Sequence, residues 1–176
     1  MVDRKIGIIL IIAGVLSLTS VILSVYSIST ANWSTLGLYS IGLFQTCSNS
    51  QCTKNQYGTR NSEANSPPIF SGRFYNAAPL AIVGVFIQLI VCFLCFLTAF
   101  IYLPPKPSIM CYITPFLIFL AFIFQFVTIT EASYGIHLNG QSSSIFESAL
   151  VIQVVILVMT VYCADDIRQN CSVQYV

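Results

Sequence analysis

Seven cysteines and a single histidine are the residues of this chain whose types could do chemistry, and their spacing sorts them into separate roles. Cys47 and Cys52 lie close together in a polar segment between long apolar runs, which suits a disulfide on an oxidising face. Such a bridge closes a small ring worth about 2 kcal/mol by chain entropy, so it fixes a local turn more than it holds a fold. The alternative is two unpaired loop thiols. Cys92-x-x-Cys95 has a redox spacing, but inside an apolar run with no strand before it cysteines serve as packing residues. Cys111, Cys163 and Cys171 fall at or beyond the opposite membrane edge, where acylation is the available chemistry. His137 has no close acidic neighbours in sequence. A hydrolytic triad or a zinc site needs several convergent His, Cys, Asp or Glu residues. Neither an enzyme nor a metal or cofactor site is therefore expected.

Two short motifs add modification and docking chemistry. Asn32-Trp33-Ser34 is a glycosylation sequon close to an apolar run, and Asn170-Cys171-Ser172 matches the same pattern beyond the last run. The chain ends Gln174-Tyr175-Val176. A free carboxylate behind an apolar last side chain can add as a strand to a PDZ groove, although Gln174 is not the Ser or Thr of the commonest ligand class.

These residues are positioned by a chain that is 56% hydrophobic and only 7% charged, against about 25% charged in soluble domains. That composition makes it a membrane protein, and a net charge of +1 argues for no nucleic-acid partner. Four apolar runs, at 6–28, 77–103, 109–130 and 145–163, each have the length to cross a hydrocarbon core of about 30 Å. The first follows Arg4 and Lys5 and precedes Ser29-Thr30-Ala31, as in a secretory signal, but it is longer than a usual h-region and reads as a retained helix. The expected organisation is one four-span domain over 1–176, with loops at 32–76 and 132–144 and a tail at 164–176.

An even number of spans puts both termini on one side. Lys/Arg placement is nearly balanced, with Arg4, Lys5, Lys106 and Arg168 on one side and Lys54, Arg60 and Arg73 on the other. Cysteine placement decides more: pairing Cys47 with Cys52 outside leaves five reduced thiols and puts both termini in the cytosol.

In loop 32–76, residues 36–44 alternate like a strand with apolar residues on both sides, and 51–68 reads as turns and irregular chain. Gly7, Gly14, Ser17, Ser20, Ser24 and Ser27 offer small surfaces for close helix packing in the first run. Pro115 is expected to kink the third span or to sit in its first turns. The spans hold almost no ionisable groups; Glu131 and Glu147 sit at span edges, which argues against a transporter or proton pump.

With these residues in hand, the chain resembles a claudin. More broadly it is similar to the superfamily of claudins, peripheral myelin and epithelial membrane proteins, and calcium-channel gamma subunits. The first-loop signature of that family, Trp then Gly-Leu-Trp then two cysteines, is matched by Trp33, Gly42, Leu43, Phe44, Cys47 and Cys52. Phe44 replaces the usual Trp, and the cysteines are closer together than in typical claudins. Arg73 before the second span, Tyr134-Gly135 after the third, Phe146-Glu147 with Ala149-Leu150, and the Tyr-Val terminus also agree.

The resemblance implies a mainly α membrane fold, a left-handed four-transmembrane-helix bundle with a small extracellular antiparallel β-sheet to which the 132–144 loop adds a strand. It also implies a plasma-membrane protein of tight or septate cell junctions. Its partners would be the lipid bilayer, further copies in cis and trans, and a cytosolic PDZ scaffold. Tyr57, Ile69, Phe70 and Ile136 are the candidate loop contacts. Lys54, Arg60 and Arg73 outnumber Glu63, so a paracellular pore would mildly favour anions. The alternative function is an auxiliary subunit of an ion channel or receptor, or a peripheral-myelin-type membrane organiser.

Overall fold

The computed structural model describes residues 4–48, 51–55, 77–100, 110–134 and 137–173. Arg73, Tyr57, Ile69, Phe70, Ile136 and Gln174-Tyr175-Val176 lie outside these residues, as do the side chains of Cys111 and Cys171. Among the described residues there are four long helices: α1 (Arg4–Ser29), α2 (Ala77–Phe100), α3 (Met110–Ser133) and α4 (Gln141–Val173). All four are long and apolar enough to cross a bilayer. A transmembrane segment must satisfy its backbone polar groups internally, which is why such runs become helices. α4 departs from its apolar run, 145–163: it begins four residues earlier in the chain and stays helical through Asp165, Asp166 and Arg168 to Val173, where a tail was expected. There Arg168 donates to the Tyr112 hydroxyl at 3.4 Å and ties the end of α4 to the start of α3.

Each helix packs against two neighbours: α1 and α3 each contact both α2 and α4. The inward stripe of α1 runs through Leu10, Ala13, Ser17, Ser20, Ser24 and Ser27, a helical spacing of small residues that lets backbones approach. The serines do more than leave space. Ser20 donates to the Ala149 carbonyl at 2.9 Å and Ser27 to the Ser142 carbonyl at 2.6 Å, so α1 is bonded along α4. Gly14 faces the Phe96 ring, where an added Cβ would come within 2.9 Å; nothing lies within 4 Å of the corresponding position on Gly7, which does not belong to the stripe. Pro115 sits in the second turn of α3, where its missing N–H removes one bond to the carbonyl four residues back.

On one end of the bundle lies a four-stranded antiparallel meander: β1 (Ser34–Leu36), β2 (Tyr39–Ile41), β3 (Gln45–Ser48) and β4 (Gln51–Lys54). Two features differ from the sequence reading. Residues 36–44 are not one strand but a hairpin and a bend. Leu36 pairs with Tyr39 across a two-residue turn whose first residue, Gly37, has φ of 61°, the positive value that two-residue hairpins demand. The polar segment from Gln51 opens as a strand, β4, rather than as irregular chain, because its partner β3 supplies the ladder.

Candidate functional site

The sheet is seated on the bundle by Trp33. Its side chain is 0% exposed; Nε1 donates to the Ser27 carbonyl at 2.8 Å, and the ring lies 5.2 Å from the Phe146 ring at 50°. Its backbone works in two directions: N donates to the Ile41 carbonyl at 2.8 Å, and its carbonyl accepts from Gly140 N at 3.0 Å. One residue therefore joins α1, the sheet and the turn leading into α4. Ile28, Ile41, Leu43, Ala77, Ala81, Ala132 and Phe146 complete the apolar cluster around it, with Phe44 packed at its margin.

The signature residues come together, each for a separate physical reason. A Cβ on Gly42 would lie 2.6 Å from both the Ala31 Cα and the Thr30 carbonyl oxygen, so only glycine lets the bend after β2 press on the end of α1. Leu43 is buried in the cluster. Cys47 and Cys52 face each other across β3 and β4 and are joined by a disulfide, with Cα atoms 4.0 Å apart. The bridge lies within one hairpin, so it braces β3 against β4 and does not itself attach the sheet to the bundle.

Two asparagines that the sequence reading missed hold the sheet at its ends. Asn55 donates its backbone N to the Phe44 carbonyl at 2.8 Å and its Nδ2 to the Gly42 and Leu43 carbonyls at 2.8 and 3.1 Å. It clamps the bend that carries the signature. Asn139 accepts from Thr35 N at 2.8 Å and donates to the Thr35 carbonyl at 3.2 Å. Its amide takes the part of a strand residue along the edge of β1. No strand forms in the described part of the 132–144 loop; this side-chain mimicry, the Gly140 N–H on the Trp33 carbonyl and a bond from Ser34 to the His137 carbonyl at 2.9 Å attach the loop instead.

Part of the described surface of this end is apolar. Leu36, Leu38 and Tyr39 form the β1–β2 hairpin rim, Leu38 being 74% exposed, and Tyr134 at the end of α3 is 84% exposed. None of these was singled out from sequence as a contact, because the single-strand reading treated residues 36–39 as two faces of one element. β4 is exposed along its length and carries Gln51, Thr53 and Lys54. The Ser34 hydroxyl of the sequon is buried and engaged by His137, while Asn32 is half-buried and its carbonyl accepts from Ser142 N at 3.0 Å.

At the other end, Cys163 corrects an expectation. It is not an open thiol at a membrane edge; it is 1% exposed and packs with Ile6 and Leu10 of α1, shielded from a modifying enzyme. Cys92 and Cys95 are buried on α2, and Cys92 donates to the Gly14 carbonyl at 3.5 Å. Among the described residues, no three His, Cys, Asp or Glu side chains gather as a metal-holding group. No protein-family model matches the chain, and no curated protein does so either.

Proposed function

We propose that this is a claudin-like membrane protein of cell junctions, whose extracellular sheet makes adhesion or paracellular barrier contacts. The observation that carries the reading is the exposed apolar rim of Leu36, Leu38 and Tyr39 on a sheet packed on a four-helix frame, with Tyr134 exposed at the end of α3. A large apolar surface on a fixed support is what a contact with another protein uses. The left-handed hand of the bundle, cytosolic termini and a plasma-membrane location belong to this same reading. So does association of copies side by side and across facing membranes.

The test is expression in leaky epithelial cells, with transepithelial resistance, dilution potentials and imaging of contacts between expressing and non-expressing neighbours. Enrichment at contacts between two expressing cells and a change in resistance are expected. Leu38→Asp should abolish both while leaving surface delivery intact. Surface protein that neither concentrates at contacts nor alters either electrical measure would refute the junction reading, and co-purification with a larger channel would then point to an auxiliary subunit.

A further inference from the structure

Three glutamines, Gln88 on α2, Gln125 on α3 and Gln153 on α4, are each 0% exposed and meet in the centre of the bundle. Gln125 Nε2 and Gln153 Nε2 both donate to Gln88 Oε1 at 2.8 Å. The Ser24 hydroxyl of α1 donates to Gln125 Oε1 at 3.3 Å, so all four helices enter one polar network. The Gln88–Gln153 and Ser24–Gln125 bonds run between helices that are not ring neighbours, across both diagonals. α2 is shaped for this arrangement: one turn before Gln88, a Cβ on Gly84 would lie 2.7 Å from Gln125 Cγ. Gln88 also sits at the middle of α2, roughly 17 Å of helix from either end at about 1.5 Å per residue. In a bilayer that is the midplane region of a hydrocarbon core about 30 Å thick.

The network leaves a donor and an acceptor over. Gln88 Nε2 and Gln153 Oε1 have no hydrogen-bond partner among the described residues. Burying such groups unpaired is costly, more so where no bulk solvent is at hand. Exchanging N and O on the amides does not remove the imbalance. If all three turn together, Gln88 donates to the other two and Ser24 accepts from Gln125. Gln88 Oε1 and Gln153 Nε2 are then left over. Either way one donor and one acceptor remain, on two side chains already bonded to each other.

We infer that the bundle centre is a water-binding site, with Gln88 and Gln153 as its two anchors. Water both accepts and donates, which matches the leftover pair in either amide orientation, and two or more polar partners are what a buried water requires. An ion matches only half of the leftover pair: a cation would meet the amide N–H as well as the free oxygen, and an anion the reverse. The site is separate from the sheet and from any contact the sheet makes.

The experiment uses the full chain in lipid nanodiscs, selectively labelled with nitrogen-15 at glutamine, and measures magnetisation transfer from water to the side-chain amides. A transfer peak with the sign of a long-lived bound water is expected on Gln88, or on Gln153 if the amides are inverted, unlike the exposed Gln141. Absence of such a peak from both overturns the inference. Replacing the opposite anchor, Gln153→Met for a peak on Gln88 or Gln88→Met for one on Gln153, should weaken it at least severalfold. An undiminished peak in that variant also overturns it. If the variant fails to fold, the wild-type spectrum alone decides.

Discussion

Trp33 shows how much of the site hangs on one side chain. It is the chain's single tryptophan, so its fluorescence reports the attachment of sheet to bundle without labelling. With the ring fully buried against Phe146, emission should be blue-shifted and nearly immune to acrylamide until the fold is lost. Ready quenching in the native protein would contradict the seating. Trp33→Phe keeps most of the apolar contact but loses the bond to the Ser27 carbonyl, which Thr30 Oγ1 still engages at 3.1 Å, at a cost of about 1 kcal/mol. Trp33→Ala also opens a cavity and should cost about 3–5 kcal/mol. Thermal unfolding in detergent followed by circular dichroism ranks them, and equal losses would mean that the ring does not pack. Trp33, Gly42 and Leu43 stand out in the sequence through their resemblance to the claudin first-loop signature. Asn55 and Asn139 do not: a side-chain amide bonded to distant backbone has no periodicity to betray it.

At the scale of elements, two of the sheet's supports differ in reach: the disulfide within β3–β4 and the backbone contacts beneath β1–β2. The disulfide closes a small ring worth about 2 kcal/mol, and it reaches no helix. Replacing both Cys47 and Cys52 by serine should therefore speed proteolysis in the hairpin severalfold while helical content and Trp33 shielding stay unchanged. Exposure of Trp33 in that variant would show that the bridge holds the whole sheet. Gly140→Ala should do the reverse. Its Cβ would fall 2.0 Å from the Asn32 carbonyl oxygen, a backbone atom that cannot swing aside, so the turn before α4 must separate from Trp33. A loss of about 1–3 kcal/mol is expected, with Trp33 becoming quenchable. The four spans could be read from composition because a bilayer imposes length. The strand layout could not be read as well. A two-residue turn at Gly37-Leu38 keeps the apparent alternation running through it, so period alone does not separate one strand from a hairpin.

For the whole molecule, the question is what fixes four apolar helices in one arrangement when lipid is as apolar as their side chains. Small residues permit close approach, but they do not choose among partners. Gln88, Gln125 and Gln153 do, because each finds its partner only when the right helices face each other in the right register. These residues are not legible in the sequence, since a lone glutamine in an apolar run carries no sign of what lies across the bundle. The two donors that converge on Gln88 Oε1 make a sharp prediction. Gln88→Leu removes one side chain but leaves Gln125 Nε2 and Gln153 Nε2 both buried without their acceptor, so it should destabilise the bundle by about 1–3 kcal/mol. Replacing all three glutamines by leucine removes every stranded amide, leaves only the Ser24 hydroxyl without its partner, and should cost less than the single change. It should also loosen the choice of helix partners. Unfolding in nanodiscs, with pairwise disulfide trapping between helices, reads both effects. The expected order is wild type or the triple variant first and Gln88→Leu last. A triple variant less stable than Gln88→Leu would mean that these glutamines stabilise by packing and dispersion, not as a hydrogen-bonded unit.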